Sequence, residues 1–246
     1  QESDASLIGP VRSVRPYYLE WAAAFDPAVA HVGGSQKALN MATSGQYGVD
    51  LDQFYNDSAY WRAKDRRAPH NVYTDMQHLL DLAKTKGKTS SNFTGWTRQD
   101  GKPADCTPCA ENEKCDPCAE SATNISLELS YSAYNVSYIW DKETNTYKRS
   151  VAGKPHEDRE KGQISPDVVI ALRSNYSQDG IYSVYQTTGS GDCYVFQNGT
   201  VIEGKWSRSS DKEMLKFTDK NGEEIKLNVG QTWITAVGQN KKVSWN

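Results

Sequence analysis

Apolar positions along the chain change their period part-way through. In the first ninety residues they recur at helical spacing. Tyr18, Trp21, Ala22 and Phe25 share one face of a helix that begins at Pro16, where a fixed φ suits the first helical position, and stops at Asp26-Pro27. Ala28 to Val32 is a short apolar run that predicts a buried strand. Gly33-Gly34 then turns the chain, and Ser35 can cap a helix running to about Ala42. Thr74 and Gln77 form a capping-box pattern ahead of Met76, Leu79, Leu80 and Ala83, and Gly87 marks the stop. Helices and strands in succession predict an α/β layer.

From Ile125 onward the period is two. Ile125, Leu127 and Leu129 alternate with polar residues, as do Val136, Tyr138 and Trp140. Further strands are predicted over 168–173, 182–187, 192–197, 200–208, 214–218, 224–228 and 232–237. Asn198-Gly199 and Asn221-Gly222 each sit between two such runs, and that dipeptide suits a type I′ hairpin because both central residues need positive φ. Between Lys84 and Ala122 periodicity vanishes into Thr, Ser, Gly, Pro, Lys and Cys. The expected class is mixed α+β. An α/β domain spans 1–95, a Cys-rich insert or linker 96–122, and an antiparallel all-β sandwich or barrel-like domain 123–246.

Composition narrows the function classes. Only 37 % of the 246 residues are hydrophobic, and mean hydropathy is −0.74. Yet 7 Trp, 14 Tyr and 5 Phe supply large apolar bodies, which argues against disorder. No run approaches the length of a membrane span. A net charge of −3 argues against a nucleic-acid partner.

Four clusters carry candidate chemistry. The run Ala28-Val-Ala-His31-Val-Gly33-Gly34-Ser35 leads a strand through glycines into a helix N-terminus, where free amides and the helix dipole favour an anion. It reads as an ordinary capped strand-turn-helix, as a phosphate, sulfate or carboxylate pocket, or as Ser35 activated by His31. The stretch from Trp61 to Asn71 holds Arg62, Lys64, Arg66 and Arg67 ahead of His70 and Asn71, and Arg12 and Arg15 add two cations before the first helix. Guanidinium forks grip carboxylates and phosphates at two points, although such runs are commonly solvated surface.

The third cluster is Cys106-x-x-Cys109 with Cys115-x-x-Cys118. Paired CxxC motifs ligate zinc, but the five residues between the pairs are fewer than zinc ribbons use. Two disulfides in an exported protein are a second reading and free thiols a third, and the pairing is open. Cys193, inside a strand, reads as a buried core thiol. The fourth, His156 with Glu157, Asp158 and Glu160, is read as a polar loop, a metal site or a proton relay.

Longer phrases resemble a known family. They are Ile8-Gly-Pro-Val-Arg-Ser-Val-Arg-Pro-Tyr17, His31-Val-Gly-Gly-Ser35, Tyr60-Trp-Arg and Arg67-Ala-Pro-His-Asn-Val-Tyr73 in the first half. Tyr147-Lys-Arg149, Gly153-Lys-Pro-His156, the 189–206 stretch and Gly230-Gln-Thr-Trp-Ile234 follow in the second. Together they resemble the YerB-like lipoproteins, a bacterial family of unknown function with N- and C-terminal domains. The resemblance implies export to the outer face of the cell envelope, secreted or tethered through a removed N-terminal lipid anchor. It also implies that the α/β domain lacks its first segment here, and that this segment is a partner of the same precursor. The Cys-rich insert departs from the family pattern.

The expected function is binding of an anionic ligand, wall polymer or protein partner through Arg12, Arg15, His31, Gly33, Gly34, Ser35, Arg62, Arg66, His70 and Asn71. No cofactor and no firm metal site are called for. An envelope hydrolase or transferase using His31 or His70 with the arginines is the alternative, and a zinc-dependent adaptor on the four cysteines is a third reading.

Overall fold

The computed structural model describes residues 4–104, 120–180 and 182–246. The chain divides into two compact units. One comprises Gln1–Gly95 with Ser209–Met214, and the other Trp96–Arg208 with Leu215–Asn246. Strands dominate, and no sheet among the described residues closes on itself, so the barrel-like form of the expectation does not hold. Cys106, Cys109, Cys115 and Cys118 lie outside the described residues. Cys193 is a buried free thiol, and burial pushes it up to about 12.

In the first unit, α1 (Pro16–Ala22) starts at its proline and tightens into a 3₁₀ turn over Ala23–Phe25, ended by Asp26 at a left-handed φ of 47°. Its buried positions are Leu19 and Ala23, one helical turn apart. Tyr18, expected on the inner face, is 54 % exposed. β1 (Ala28–His31), α2 (Gln36–Thr43) and β2 (Val49–Asp52) form a compact parallel βαβ unit, with His31 opposite Asp52. Ser35 caps α2, its hydroxyl accepting from the Ala38 amide at 3.4 Å. Ala38 and Ala42 then pack with Val14 and Leu19.

β3 (Trp61–Arg62) and β4 (Val72–Tyr73) pair antiparallel, so the cationic stretch is the mouth of a small hairpin. α3 (Met76–Thr85) is capped by Asp75, whose carboxylate accepts from the His78 amide at 2.7 Å. Thr74 is one residue too early. It is fully buried, and its hydroxyl donates to the Ala59 carbonyl.

The second unit begins with β5 (Arg98–Gln99), β6 (Asn124–Leu127), β7 (Val136–Asp141), β8 (Thr146–Val151) and β9 (Lys154–Pro155). The small hairpin of β10 (Glu157–Asp158) and β11 (Gly162–Gln163) follows. Next come β12 (Val168–Ser174), the paired β13 (Tyr176–Asp179) and β14 (Tyr182–Tyr185), β15 (Gly189–Gln197) and β16 (Thr200–Arg208). β17 (Lys216–Asp219), β18 (Leu227–Asn228), β19 (Thr232–Gly238) and β20 (Val243–Trp245) end the chain. One five-stranded sheet is ordered β17-β16-β15-β12-β19 and another β20-β6-β7-β8-β9.

Inward residues of both sheets share one core. Ile125, Leu127, Tyr138 and Tyr147 meet Val169, Ala171 and Phe196 there. Val168, Ile170 and Leu172 face the opposite way, into a second core with Trp206 and Phe217. β12 is therefore apolar without a break from Val168 to Leu172, because both its faces are covered.

Two findings depart from the expected all-antiparallel pairing. β12 pairs parallel with β19 over seven residues, and β18 pairs parallel with β5. Both pairs are joined by long excursions, which free them from the antiparallel geometry that short turns impose. At the β15–β16 turn, Asn198 (φ 60°) and Gly199 (φ 76°) supply the two positive angles of a type I′ hairpin. Asn221 has no such angle. There the Asp219 carboxylate accepts from the Asn221 and Glu223 amides in a longer turn.

Candidate functional site

The segment from Ile8 to Val14 builds one wall of the site. Ile8 and Val11 hydrogen-bond to Thr74 and Val72 on one side, while Arg12 and Val14 bond to Val32 and Gly33 on the other. Val11 and Val14 turn inward at 8 % and 4 % exposure, so Arg12 between them points out. The guanidinium Nη1 of Arg12 donates to the Pro69 carbonyl at 2.7 Å. From β3, Arg62 donates to Asn71 Oδ1 at 3.0 Å, and Asn71 in turn is tied to the Ala63 carbonyl.

These elements enclose a half-open cleft of about 570 Å³. Its lining includes Arg12, Arg62, Gly33, Gly34, Phe54, Tyr55 and Asp52. A shallower depression of about 480 Å³ beside Lys37 and Tyr47 has no arginine in its lining.

Gly33, Gly34, Arg12 and Arg62 thus come together as the sequence suggested. Other candidates do not line the cleft. Ser35 is committed to its cap, Arg15 donates to the Val14 carbonyl, and Arg66 donates to the Tyr73 hydroxyl at 3.0 Å. His70 is exposed on the loop, and Asn71 acts behind Arg62.

His31 lies beneath the turn at 1 % exposure. Its Nδ1 faces the Gly33 carbonyl and its Nε2 faces Asp50 Oδ1, both at 2.9 Å, with Asp52 Oδ1 at 3.8 Å from Nδ1. Both ring nitrogens are engaged by the fold and neither reaches solvent. His31 therefore holds the turn in place through both ring nitrogens.

The two aspartates were invisible as site residues in the sequence, because only the parallel pairing of β1 with β2 brings them under His31. Asp52 is 3 % exposed, and its Oδ1 accepts from the amides of Gly33 at 3.1 Å and Phe54 at 3.2 Å. One amide expected to meet an external anion thus already meets an internal one, and the guanidiniums carry the outward positive charge. Burial, and behind it the charges of Asp52 and Asp50, push the Tyr60 phenol far above its ordinary range. Its hydroxyl donates to the Leu51 carbonyl.

Phe54 and Tyr55 are the other residues that sequence reasoning missed. They are 67 % and 82 % exposed. The signal was present as two adjacent aromatics in a polar stretch, Asp52-Gln-Phe-Tyr-Asn56.

In the second unit, His156, Glu157, Asp158 and Glu160 are not gathered as a metal-ligating group. Among the described residues no three His, Cys, Asp or Glu side chains are grouped to hold an ion. His156 accepts from the buried Arg149 guanidinium, which also lies 4.5 Å from the Trp233 ring centre. Burial and the Arg149 charge lower the His156 pKa. Asp158 caps its turn, and the Glu160 and Lys161 amides hold its carboxyl below the usual range.

Residues 1–90 match the family described as "Protein of unknown function (DUF3048) N-terminal domain", and residues 125–234 match its C-terminal domain. The chain is also 30 % identical to "Putative lipoprotein YerB" of Bacillus subtilis (strain 168), across 96 % of this chain and 69 % of that protein. This chain belongs to the DUF3048 family. The crystal structure of the Bacillus subtilis YerB protein has the same fold, with a TM-score of 0.79 at 24 % identity over 97 % of this chain and 78 % of that one. The family resemblance read from Ile8–Tyr17 and the later phrases is thereby established. The name of the relative speaks of a lipoprotein and assigns no activity.

Proposed function

We propose that this DUF3048 protein works at the outer face of the cell envelope, where its first unit binds an anionic group of a wall polymer or other ligand. Support for the location is the lipoprotein name carried by its relative. The observation that carries the binding reading is the pair of exposed guanidiniums, Arg12 and Arg62, on one half-open cleft of about 570 Å³. Each spends one nitrogen on the Pro69 carbonyl or on Asn71, which fixes its direction. The remaining N–H groups present a two-point grip suited to carboxylate or phosphate. Hydrolase or transferase chemistry finds no support in His31, whose ring nitrogens are both occupied beneath the turn.

Isothermal titration of the full chain with inorganic phosphate, citrate and pyrophosphate tests this reading. Saturable binding is expected, falling by about tenfold or more in Arg12→Ala and in Arg62→Ala and weakening as salt is raised. Binding that ignores both substitutions, or no binding by any of the three anions, overturns it.

A further inference from the structure

We infer that the ligand of this cleft is an acidic sugar, a pyranose ring bearing a carboxylate or phosphate, with Phe54 and Tyr55 as the platform for the ring. The inference rests on the anion-binding reading above and adds the chemistry of what carries the anion.

The platform is built by the fold. Asp52 starts the short 3₁₀ turn Gln53–Tyr55 by accepting from the Phe54 amide, and Asn56 Nδ2 donates back to the Asp52 carbonyl at 2.7 Å. This fixes where the two rings leave the backbone. The Phe54 ring then lies directly on Gly33. A Cβ at Gly33 would stand 3.1 Å from Phe54 Cε2, and Gly33 has a left-handed φ of 59°. Any larger residue there would be strained and would lift the ring.

One side of Phe54 is therefore seated on the glycine turn, while 67 % of the residue remains in water. Single exposed aromatics are ordinary surface. Two adjacent ones beside two oriented guanidiniums in the same cleft are not explained by the core, since neither belongs to a core cluster of this unit.

The chemistry of the two halves points to one ligand class. The negative face of an aromatic ring attracts the polarised C–H groups on the face of a pyranose, and two exposed rings on a half-open cleft are accessible to one. An aliphatic side chain of a peptide would need an enclosed pocket instead. The guanidiniums take the acidic substituent. A uronic acid and a sugar phosphate share this pattern, and the binding experiment separates them.

The test titrates the full chain with trigalacturonate, glucose 6-phosphate, neutral maltotriose, triglutamate and inorganic phosphate. At least one acidic sugar should bind about tenfold more tightly than triglutamate or phosphate, by the stacking contribution. Phe54→Ala and Tyr55→Ala should remove that advantage, weakening the acidic sugar far more than phosphate. Both side chains are largely exposed, so the variants should keep the wild-type circular dichroism spectrum. A preference for trigalacturonate identifies a uronic acid, and one for glucose 6-phosphate a sugar phosphate. If triglutamate binds as well as the acidic sugars, or if the aromatic substitutions change nothing while Arg12→Ala still weakens phosphate, the sugar inference falls and the anion reading survives. If no acidic probe binds at all, both fall.

Discussion

Asp52 ties the candidate cleft to the stability of the first unit, and Asp52→Ala exposes that link. Its buried carboxylate accepts from the amides of Gly33 and Phe54, and cutting it back to a methyl group removes the acceptor of both. Hydrogen bonds to a charged acceptor contribute about 1.5–3 kcal/mol each. Two would give about 3–6 kcal/mol, and the lower end applies because the cleft lets water reach the Gly33 amide once the carboxylate is gone. A loss of about 3 kcal/mol, at a urea slope of about 2 kcal/mol/M, lowers the unfolding midpoint of this unit by about 1.5 M.

Urea titration should show that fall. Native-state hydrogen exchange should show the Gly33 and Phe54 amides exchanging at least tenfold faster. Asp52→Asn keeps an acceptor in place and removes the charge, so its loss should be nearer 1 kcal/mol. A midpoint and exchange rates unchanged in Asp52→Ala would mean that Asp52 does not hold the turn, and the account of the cleft floor would be wrong.

Two further outcomes are expected in the second unit. The folded His156 has a lowered pKa, so the unfolded chain takes up a proton first as the pH falls below about 6.5. Stability should therefore be full above about pH 7 and decline toward pH 5 relative to His156→Gln, which cannot titrate; a stability difference between the two that stays constant over that range refutes the assignment. Cys193, its thiol pushed up to about 12 by burial, should resist iodoacetamide in the native chain and react in urea, as read by peptide mass mapping. Rapid native labelling at Cys193 would contradict its placement in the core.

Local chemistry that a residue completes by itself was legible in the sequence. Ser35 caps α2 and Asn198-Gly199 turns a hairpin because each needs only its own neighbours. Thr74 and Asp75 are both good caps, and the choice between them was made by a distant partner, the Ala59 carbonyl that takes the Thr74 hydroxyl. The parallel partnership of β12 with β19 and the two-residue strands β3 and β4 leave no periodic trace in the sequence. For the site, the glycine turn and the cations announced themselves by residue type, and Arg12 and Arg62 do meet there. The burial of His31 was not legible, because its environment is set by Asp50 and Asp52 from the neighbouring strand, and no spacing within its own segment encodes that. Phe54 was overlooked because exposed aromatics follow no period.

The double burial of β12 has a consequence for the chain while it is being made. Val168–Leu172 is an unbroken apolar run of high strand propensity, the kind of segment that recruits other chains when left uncovered. Its partners β15 and β19 both come later in the chain, so it leaves the ribosome before anything can cover either edge. Proline, aspartate and arginine stand at its borders, as Pro166, Asp167 and Arg173. Such residues interrupt intermolecular strand pairing, and here they guard the segment through the interval before β19 arrives.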